Sequence, residues 1–246
     1  MTTQQQTAEQ KTIAQATAER GAQHLANLET DGLTGQALSQ AALEWAATEF
    51  GAKLGLLSSM GDEALVHLAS EAVPGLDVLF LDTGYHFAET LGTRDAYAAT
   101  RPINLINVLP LQTVAEQDAE YGEKLHNRDP GQCCQLRKVE PMNRALEDYD
   151  AWVTGMRRVD APTRANIGII EYDDKRDKVK INPLAMWSDE DLQAYIEANS
   201  VLLNTLRESG YESIGCEPCT RPTAPGEDPR AGRWAGTNKT ECGLHT

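Results

Sequence analysis

The sequence predicts a doubly wound α/β fold with a mostly parallel sheet. Two stretches, "AKLGLLSSMG" and "LDVLFLDTGY", each place a short apolar run before a turn of small or polar residues, and a helical pattern follows each turn. The run from Val78 to Leu81 is almost entirely apolar, which is typical of a parallel strand covered on both faces. "INLINVLP" and "AWVTGM" are two further strand candidates, with helical patterns between them. This alternation indicates successive βαβ units.

Helical patterns flank the predicted sheet. Residues 1–30 are rich in Gln, Ala, Thr and Glu but poor in large apolar side chains, which predicts a loosely attached helix or a frayed extension. From Leu38 to Phe50, apolar residues recur at helical spacing, and Gly51 follows as a C-terminal stop. Ser188 precedes three acidic residues and predicts the N-cap of a late helix.

The chain is long enough to bury one sizeable core, and no linker or internal repeat divides it. Beyond residue 210 the sequence is rich in Gly, Pro, Thr and Arg and shows no regular period. We therefore expect a single domain over residues 31–246, with an irregular C-terminal segment that is mobile from about residue 234.

The composition limits the classes of partner. Among 246 residues, 37 acidic side chains outnumber 22 Lys and Arg, a net charge of −15. This charge repels nucleic acid and anionic membranes, so neither is an expected partner, and an anionic ligand must meet a local basic pocket. The chain has no apolar run of membrane-spanning length and does not begin like a signal peptide. We expect a cytoplasmic protein, in which five cysteines favour metal or redox chemistry over a disulfide framework.

Two turns after predicted strands are candidate ligand sites, because ligands of α/β sheets sit beyond the carboxyl ends of the strands. Ser58, Ser59 and Gly61 form the first turn, where backbone amides could approach an anion. It matches neither common phosphate-loop pattern, so the turn taken alone favours an ordinary strand-to-helix connection over a phosphate site. Asp82 follows the second strand and could either face a ligand or cap the next helix.

Four cysteines form two pairs with metal-ligand character. Cys133 and Cys134 are adjacent, and Cys216 and Cys219 form a C-x-x-C pair. Four thiolates suit either tetrahedral zinc or an iron-sulfur cluster. Adjacent cysteines have difficulty placing both sulfurs on one small ion, which favours the cluster. A reactive C-x-x-C disulfide with unrelated buried thiols is the third alternative.

The fifth cysteine and a group of cations complete the candidate chemistry. Cys242 lies four residues from the end of the sequence, close to Lys239 and His245, which could favour its nucleophilic thiolate form. An incidental exposed thiol is the alternative reading. The cations that cluster near the cysteine motifs or in adjoining loops are Arg137, Lys138, Arg157, Arg158, Arg164, Arg221, Arg230 and Arg233. Such a group predicts a pocket for a small dianion or polyanion.

Taken together, these motifs resemble the iron-sulfur branch of the sulfonucleotide reductases, which acts on adenosine 5′-phosphosulfate (APS). The resemblance runs from about "LGLLSSMG" to the C-terminus and rests on "SSMGDEALV", "FLDTGYHFAETLGTRD", "CCQLRKVEPMNRAL", "AWVTGMRR", "INPLAMWSDEDLQAYI", "GYESIGCEPCTRP", "GEDPRAGRW" and "ECGLH". It implies an adenine nucleotide α-hydrolase-like, Rossmann-like sheet. The branch that prefers the 3′-phosphorylated nucleotide (PAPS) generally lacks the two cysteine pairs, so their presence implies the unphosphorylated substrate.

The resemblance also implies roles for individual residues. Cys133, Cys134, Cys216 and Cys219 would hold one [4Fe-4S] cluster. Cys242 would attack the substrate sulfur, release AMP and carry a thiosulfonate that thioredoxin or a glutaredoxin-like protein reduces to free sulfite. The residues expected around the nucleotide and its phosphosulfate are Ser58, Ser59, Lys138, Arg164, Arg230, Arg233 and His245. A homo-oligomer is compatible with the sequence.

Three alternative functions stay open at this stage. A PAPS reductase would share the fold and the terminal cysteine. An ATP-pyrophosphatase-type nucleotide transferase with a structural metal would lack a use for Cys242, and its expected SGGxDS loop is missing. A non-catalytic metal module would bind partners but no nucleotide.

Overall fold

A six-stranded sheet organises the computed structural model, which describes residues 3–234, 239, 243 and 244. The strands are β1 (Leu54–Ser58), β2 (Leu76–Leu81), β3 (Ile103–Val108), β4 (Ala151–Val153), β5 (Ile170–Asp173) and β6 (Lys178–Ile181). Their order is β3-β2-β1-β4-β6-β5. All neighbouring pairs are parallel except β5 and β6, which form an antiparallel hairpin. The mostly parallel α/β sheet predicted from the sequence is confirmed.

The helices cover both faces of this sheet. They are α1 (Thr3–Thr30), α2 (Gly35–Phe50), α3 (Glu63–Ala72), α4 (Ala88–Thr100), α5 (Val114–Tyr121), α6 (Leu125–Arg128), α7 (Pro130–Cys134), α8 (Glu140–Leu146) and α9 (Asp189–Asn199). Leu56 and Phe80 belong to one buried cluster, which includes residues of α1, α2 and α3. Their neighbours Leu57 and Leu79 belong to a second cluster, with Met142 and other residues of α8. This alternation follows from the two-residue period of a strand.

The strand order reverses direction next to β1. The chain moves from β1 through β2 to β3 on one side, then crosses to β4 on the other side. The loops after β1 and β4 therefore diverge at the carboxyl edge and leave a crevice between them. The candidate functional site lies in this crevice.

The first helix packs closely on the rest of the domain, although its small side chains predict a loose attachment. Ala18 and Leu25 are 3% exposed and join the main core cluster. A Cβ atom on Gly21 would lie 2.4 Å from the ring of Trp45. The small residues allow close approach between α1 and α2, so burial here does not require large side chains.

The other helical predictions and the irregular C-terminal part are also found. α2 ends at Phe50, and the C-cap is Gly51, which has a φ of 53°. Ser188 caps α9 in a reciprocal capping box with Asp191. After α9 the described chain forms short 3-10 helices and one isolated bridge, between Thr220 and Arg233. Within the described residues, no helix is long and apolar enough to cross a membrane.

Two glycine-to-alanine substitutions test the packing of α1. Gly21→Ala places a Cβ against Trp45, so we expect it to lower the free energy of unfolding by about 1–3 kcal/mol. Gly92→Ala, in α4, meets no atom within 4 Å and should raise it by up to about 1 kcal/mol through helix propensity. Urea unfolding of both variants measures the contrast. Equal stabilisation by the two substitutions would show that α1 does not pack tightly.

Candidate active site

The loop after β1 is held in shape by Ser58. Its hydroxyl donates to Asp62 Oδ1 at 2.7 Å and accepts from the backbone N–H of Met60 at 3.0 Å. Met60 adopts a φ of 54°, and its side chain is buried. Ser58 itself is buried, whereas Ser59 is exposed at the mouth of the loop.

Two acidic residues, Asp62 and Glu63, follow the loop, and the charge of Glu63 is compensated by an arginine. Glu63 is 1% exposed and turns toward Arg207, with 2.9 Å between Oε2 and Nη2. It also accepts from the backbone N–H of Asn204 at 2.9 Å. Arg207 in turn donates to the Gly61 carbonyl at 2.8 Å, which fastens the loop to the segment after α9. The charge of Glu63 is therefore matched within the protein.

Asp62 lines the crevice as Glu63 does, but its carboxyl group accepts from the neutral Ser58 hydroxyl, whereas Glu63 pairs with an arginine. Burial raises the pKa of Asp62 from 3.8 to about 6, and the charge of Glu63 adds to the rise, although the Ser58 hydrogen bond opposes it. The side chain also approaches Gly155, where a Cβ atom would lie 2.9 Å from Asp62 Oδ2. A carboxyl with a raised pKa carries less negative charge into the crevice at mildly acidic pH.

The crevice contains a cavity of about 320 Å³. Six of the predicted substrate-binding residues line it together: Ser58, Ser59, Lys138, Arg164, Arg230 and Arg233. They come from four separate parts of the chain, so only the folded structure brings them to one place. Apolar side chains such as Leu65 and Leu184 form another part of the wall.

Acidic partners hold the arginines beside β4 in place. Arg164 is 8% exposed, and its Nη1 lies 3.3 Å from Asp160 Oδ2. Arg157 lies 2.8 Å from the other Asp160 oxygen and 2.9 Å from Asp189. These contacts orient the guanidinium groups along the cavity wall, where they can bind an anion bidentately.

Arg233 approaches the cavity from the C-terminal segment. Its guanidinium stacks over the Trp234 ring at 4.6 Å and donates to Ser213 Oγ at 3.1 Å. The close passage requires Gly215, because a Cβ there would lie 2.5 Å from the guanidinium. Arg230 also stacks on Trp234, at 6.0 Å. One aromatic ring thus positions two of the predicted anion-binding cations.

A second, smaller cavity collects four thiols. Cys133, Cys134, Cys216 and Cys219 all line it, and none of them forms a disulfide. Asp129 accepts from the backbone N–H of Gln132 at 2.9 Å and caps α7, which carries the first pair. In the second pair, Cys216 is the N-cap of a single 3-10 turn, Glu217–Cys219, and Cys219 is its last residue.

The two cavities share Lys138 and Cys216 in their walls. Lys138 lies in a π-helical turn, Gln135–Val139, that directly follows the cysteines of α7. Burial opposes ionisation of Cys216, but Lys138, the Thr83 hydroxyl at 3.3 Å and Arg233 outweigh it, and its pKa falls below the ordinary value. Burial instead raises the pKa of Cys133 to about 12. The thiol nearest to the anion cavity is therefore the one that ionises more readily.

Three arginines of the predicted cationic group do not line the anion cavity and have structural partners elsewhere, Arg137 beside the four thiols. Arg137 is buried, donates to the Thr83 carbonyl and to Gln117 Oε1, and stacks over Tyr85. Arg158 donates to the Ile167 carbonyl at 2.9 Å. Arg221 pairs with Glu227 at 2.7 Å on the surface. Sequence proximity to the cysteines did not distinguish these from the cavity-lining cations.

The turn after β2 resolves the two readings of Asp82. Its carboxylate accepts from the backbone N–H of Gly84 at 3.1 Å and lies 3.6 Å from Arg94. It neither caps α4, whose N-cap is Phe87, nor lines the anion cavity. The adjacent Thr83 is the residue that reaches both cavity and thiols. Cys242 and His245, the predicted nucleophile and its neighbour, lie outside the described residues.

Comparison with known proteins gives the family. The model of the phosphoadenosine phosphosulfate reductase domain matches residues 53–222. The chain belongs to this family. Adenosine 5′-phosphosulfate reductase of Streptomyces coelicolor is 59% identical over 203 residues, which cover 82% of this chain and 86% of the relative. The protein of the same name from Mycolicibacterium smegmatis is 55% identical over 228 residues, or 93% of each chain.

Solved structures agree with this family fold. The phosphoadenylyl-sulfate reductase of Candida auris, in a phosphate complex, matches with a TM-score of 0.66 and 27% identity, over 81% of this chain and 97% of that one. An FMN adenylyltransferase of Candida glabrata matches with a TM-score of 0.54 but 13% identity, over 83% of this chain and 73% of that one. The second likeness concerns the fold alone.

Sequence reasoning missed the contacts that support the family's cavity. Glu63 and Arg207 are 144 residues apart in the chain, and no local pattern pairs them. Gly155 and Gly215 are needed because side chains from distant segments cross them. Chain position alone carries no signal for either kind of contact.

The raised pKa of Asp62 predicts a pH-dependent stability. The folded protein holds the proton of the Asp62 carboxyl group more tightly than the unfolded chain does. Between about pH 4 and 6, the contribution of Asp62 to the free energy of unfolding therefore falls as pH rises. Asp62→Asn removes that loss. We expect the free energy of unfolding of the variant, relative to that of wild type, to increase by about 1 kcal/mol from pH 5 to pH 7.5 in urea unfolding. Asp174→Asn, at an exposed position, is the control, and an advantage that does not change with pH would contradict the prediction.

Proposed function

We propose that this protein reduces adenosine 5′-phosphosulfate to sulfite and AMP, in assimilatory sulfate reduction and cysteine biosynthesis. The carrying observation is the shared wall of the two cavities, where Lys138 lies between four converging thiols and a group of arginines. Relatives named for this activity are 52–60% identical. The arrangement suits a reaction of sulfur on a bound anion.

The described cations would bind the phosphosulfate. Lys138, Arg164 and Arg233 line one cavity with the Ser58 loop, so the anion would receive positive charge from several sides. The apolar part of the wall, with Leu65 and Leu184, suits the adenine ring. Against a net charge of −15, these cations supply the positive charge that would attract an anionic substrate to the crevice.

Cys242 is the proposed nucleophile. Its thiolate would attack the substrate sulfur, forming a sulfur–sulfur bond while the bond from sulfur to the bridging phosphate oxygen breaks. The bond electrons leave with AMP, so negative charge grows on its phosphate. Lys138 and the arginines would stabilise that charge in the transition state.

A thioredoxin, or a glutaredoxin-like protein, is the proposed reductant. One of its thiolates would attack the Cys242 sulfur, release sulfite and form a mixed disulfide. Its second thiol would then free Cys242, so the two electrons come from the dithiol. Such reductants keep cytosolic thiols reduced, which is consistent with a cytoplasmic location.

The four converging thiols suit a [4Fe-4S] cluster as resident cofactor. Cys133, Cys134, Cys216 and Cys219 would hold it, and an all-cysteine donor set is the usual one for such clusters. Among the described residues, no three His, Cys, Asp or Glu side chains are placed to hold a single metal ion together. Cys133 and Cys134 are adjacent, and adjacent cysteines have difficulty placing both sulfurs on one small ion, which favours a ligand with several metal atoms over one zinc ion. A cluster bound there would interact electrostatically with Lys138, and this role would not require electron transfer.

Two alternatives give different outcomes. A preference for the 3′-phosphorylated nucleotide would agree with the name of the family model and of the Candida auris structure. The two cysteine pairs and the names of the relatives support the unphosphorylated substrate instead. A nucleotide transferase would share the fold but would leave the converging thiols without a reaction.

The first test is sulfite release from APS and from PAPS with thioredoxin. We expect wild type to prefer APS and Cys242→Ser to release no sulfite, because the attacking thiolate is gone. Single turnover without thioredoxin should add the mass of one SO₃ group to wild type only. Sulfite release that survives in Cys242→Ser would overturn the mechanism. A preference for PAPS would support the 3′-phosphorylated nucleotide as the substrate.

The cofactor is tested by anaerobic purification and metal analysis. We expect about four irons per chain, with loss of iron in Cys133→Ser. Lys138→Ala should keep its iron but lower kcat/KM by about 10²–10³, because a cation at the leaving phosphate is removed. Lys53→Ala, which changes an exposed lysine, is the control. A colourless protein with one zinc would contradict the cluster.

A further inference from the structure

The chain near Cys242 contacts the rest of the molecule on both sides of this residue. Three positions before it, Lys239 donates from Nζ to the Pro130 carbonyl at 3.1 Å. Two positions after it, the Leu244 carbonyl accepts from Arg176 Nη2 at 3.0 Å. Pro130 is the first residue of α7, which carries two of the four thiols. Arg176 lies in the turn between β5 and β6.

Besides its contact with the C-terminal segment, the Arg176 guanidinium has three partners that fix its orientation. Its Nη1 donates to Asp173 Oδ2 at 3.0 Å, and its Nε donates to Asn143 Oδ1 at 2.9 Å. Its plane lies over the Trp152 ring at 5.3 Å, and the side chain is only 7% exposed. Because the guanidinium is planar, these contacts also set the direction in which Nη2 donates.

Leu244 meets this donor at the wall of the substrate cavity. Its side chain packs against the apolar cluster that contains Leu57, Leu81 and Trp152, and it lines the anion cavity. Trp152, over which the Arg176 guanidinium lies, thus belongs to the cluster against which Leu244 packs. The Leu244 carbonyl contacts Arg176, and its side chain packs against the apolar cluster beneath that arginine. We call these two contacts the seat of Leu244.

We propose that Arg176 is a positioning residue that anchors the C-terminal segment through Leu244 and so restricts where Cys242 meets the substrate. Cys242 is two positions from Leu244 in the chain, and two peptide units span at most about 7 Å, so an anchor at Leu244 acts close to the proposed nucleophile. The catalytic meaning of this anchor rests on the proposed role of Cys242. The contact between Arg176 and Leu244 does not depend on that role.

The test measures alkylation of Cys242 by iodoacetamide in the holoenzyme. Trypsin cleavage after Lys239 yields residues 240–246, which contain no other cysteine, so mass spectrometry follows this thiol alone. We expect Arg176→Ala to raise the alkylation rate about tenfold, as for loss of a charge-assisted hydrogen bond, and to lower kcat/KM by a similar factor. Arg176→Lys, which keeps a cationic donor, should fall between the two.

Arg20→Ala is the matched control, since it removes an arginine from the surface ion pair with Glu49. Alkylation at the wild-type rate in Arg176→Ala, even with a lower Tm, would overturn the anchor. So would an equal rise in Arg20→Ala. If Arg176→Ala does not fold, Leu244→Ala loosens the same seat without altering the sheet, and it must also raise the rate.

A failure of the proposed function and a failure of the proposed anchor give different experimental results. Sulfite release by Cys242→Ser would remove Cys242 from the mechanism, yet the alkylation rates would still decide whether Arg176 holds the segment.

Discussion

The reversal of strand order beside β1 is the constraint on which the site depends. Parallel strands end at a common edge, and the loops after β1 and β4 must separate there because their connections run in opposite directions. The Ser58 loop enters the crevice from one side and the segment with Arg164 from the other. The irregular chain after α9 then closes the remaining side with Arg233. Few other places in this fold offer several chain segments to one anion.

A strongly acidic protein has to build an anion site without neutralising it with its own carboxylates. Two arrangements accomplish this here. Asp160 pairs with Arg164 and Arg157 and orients them, while Glu63 is buried and pairs with Arg207. Asp62 is the remaining carboxyl group beside the Ser58 loop, and its raised pKa reflects the cost of burying its charge there. The carboxylates of Asp160 and Glu63 are thus matched by arginines, and Lys138, Arg230 and Arg233 also line the cavity.

Much of the fold could be predicted because its signals are local. The apolar run of β2, the Gly51 stop and the Ser188 cap each depend on a few neighbouring residues. The packing of α1 could not be predicted in this way, because Gly21 is small for a reason that lies in Trp45. The antiparallel β5 escaped notice because its four residues alternate only briefly and its pairing is with β6 alone.

For the site, the sequence by itself determined the chemical inventory: two cysteine pairs, a serine turn, a set of cations and a terminal cysteine. Six of the predicted binding residues indeed share one cavity. Only the tertiary structure decided which cations face it, since Arg137 and Lys138 are adjacent yet only Lys138 lines the anion cavity. It likewise paired Arg176 with Leu244 across 68 residues. Residue type fixes what a side chain can do, whereas direction and partners arise from contacts between distant segments, which no local pattern encodes.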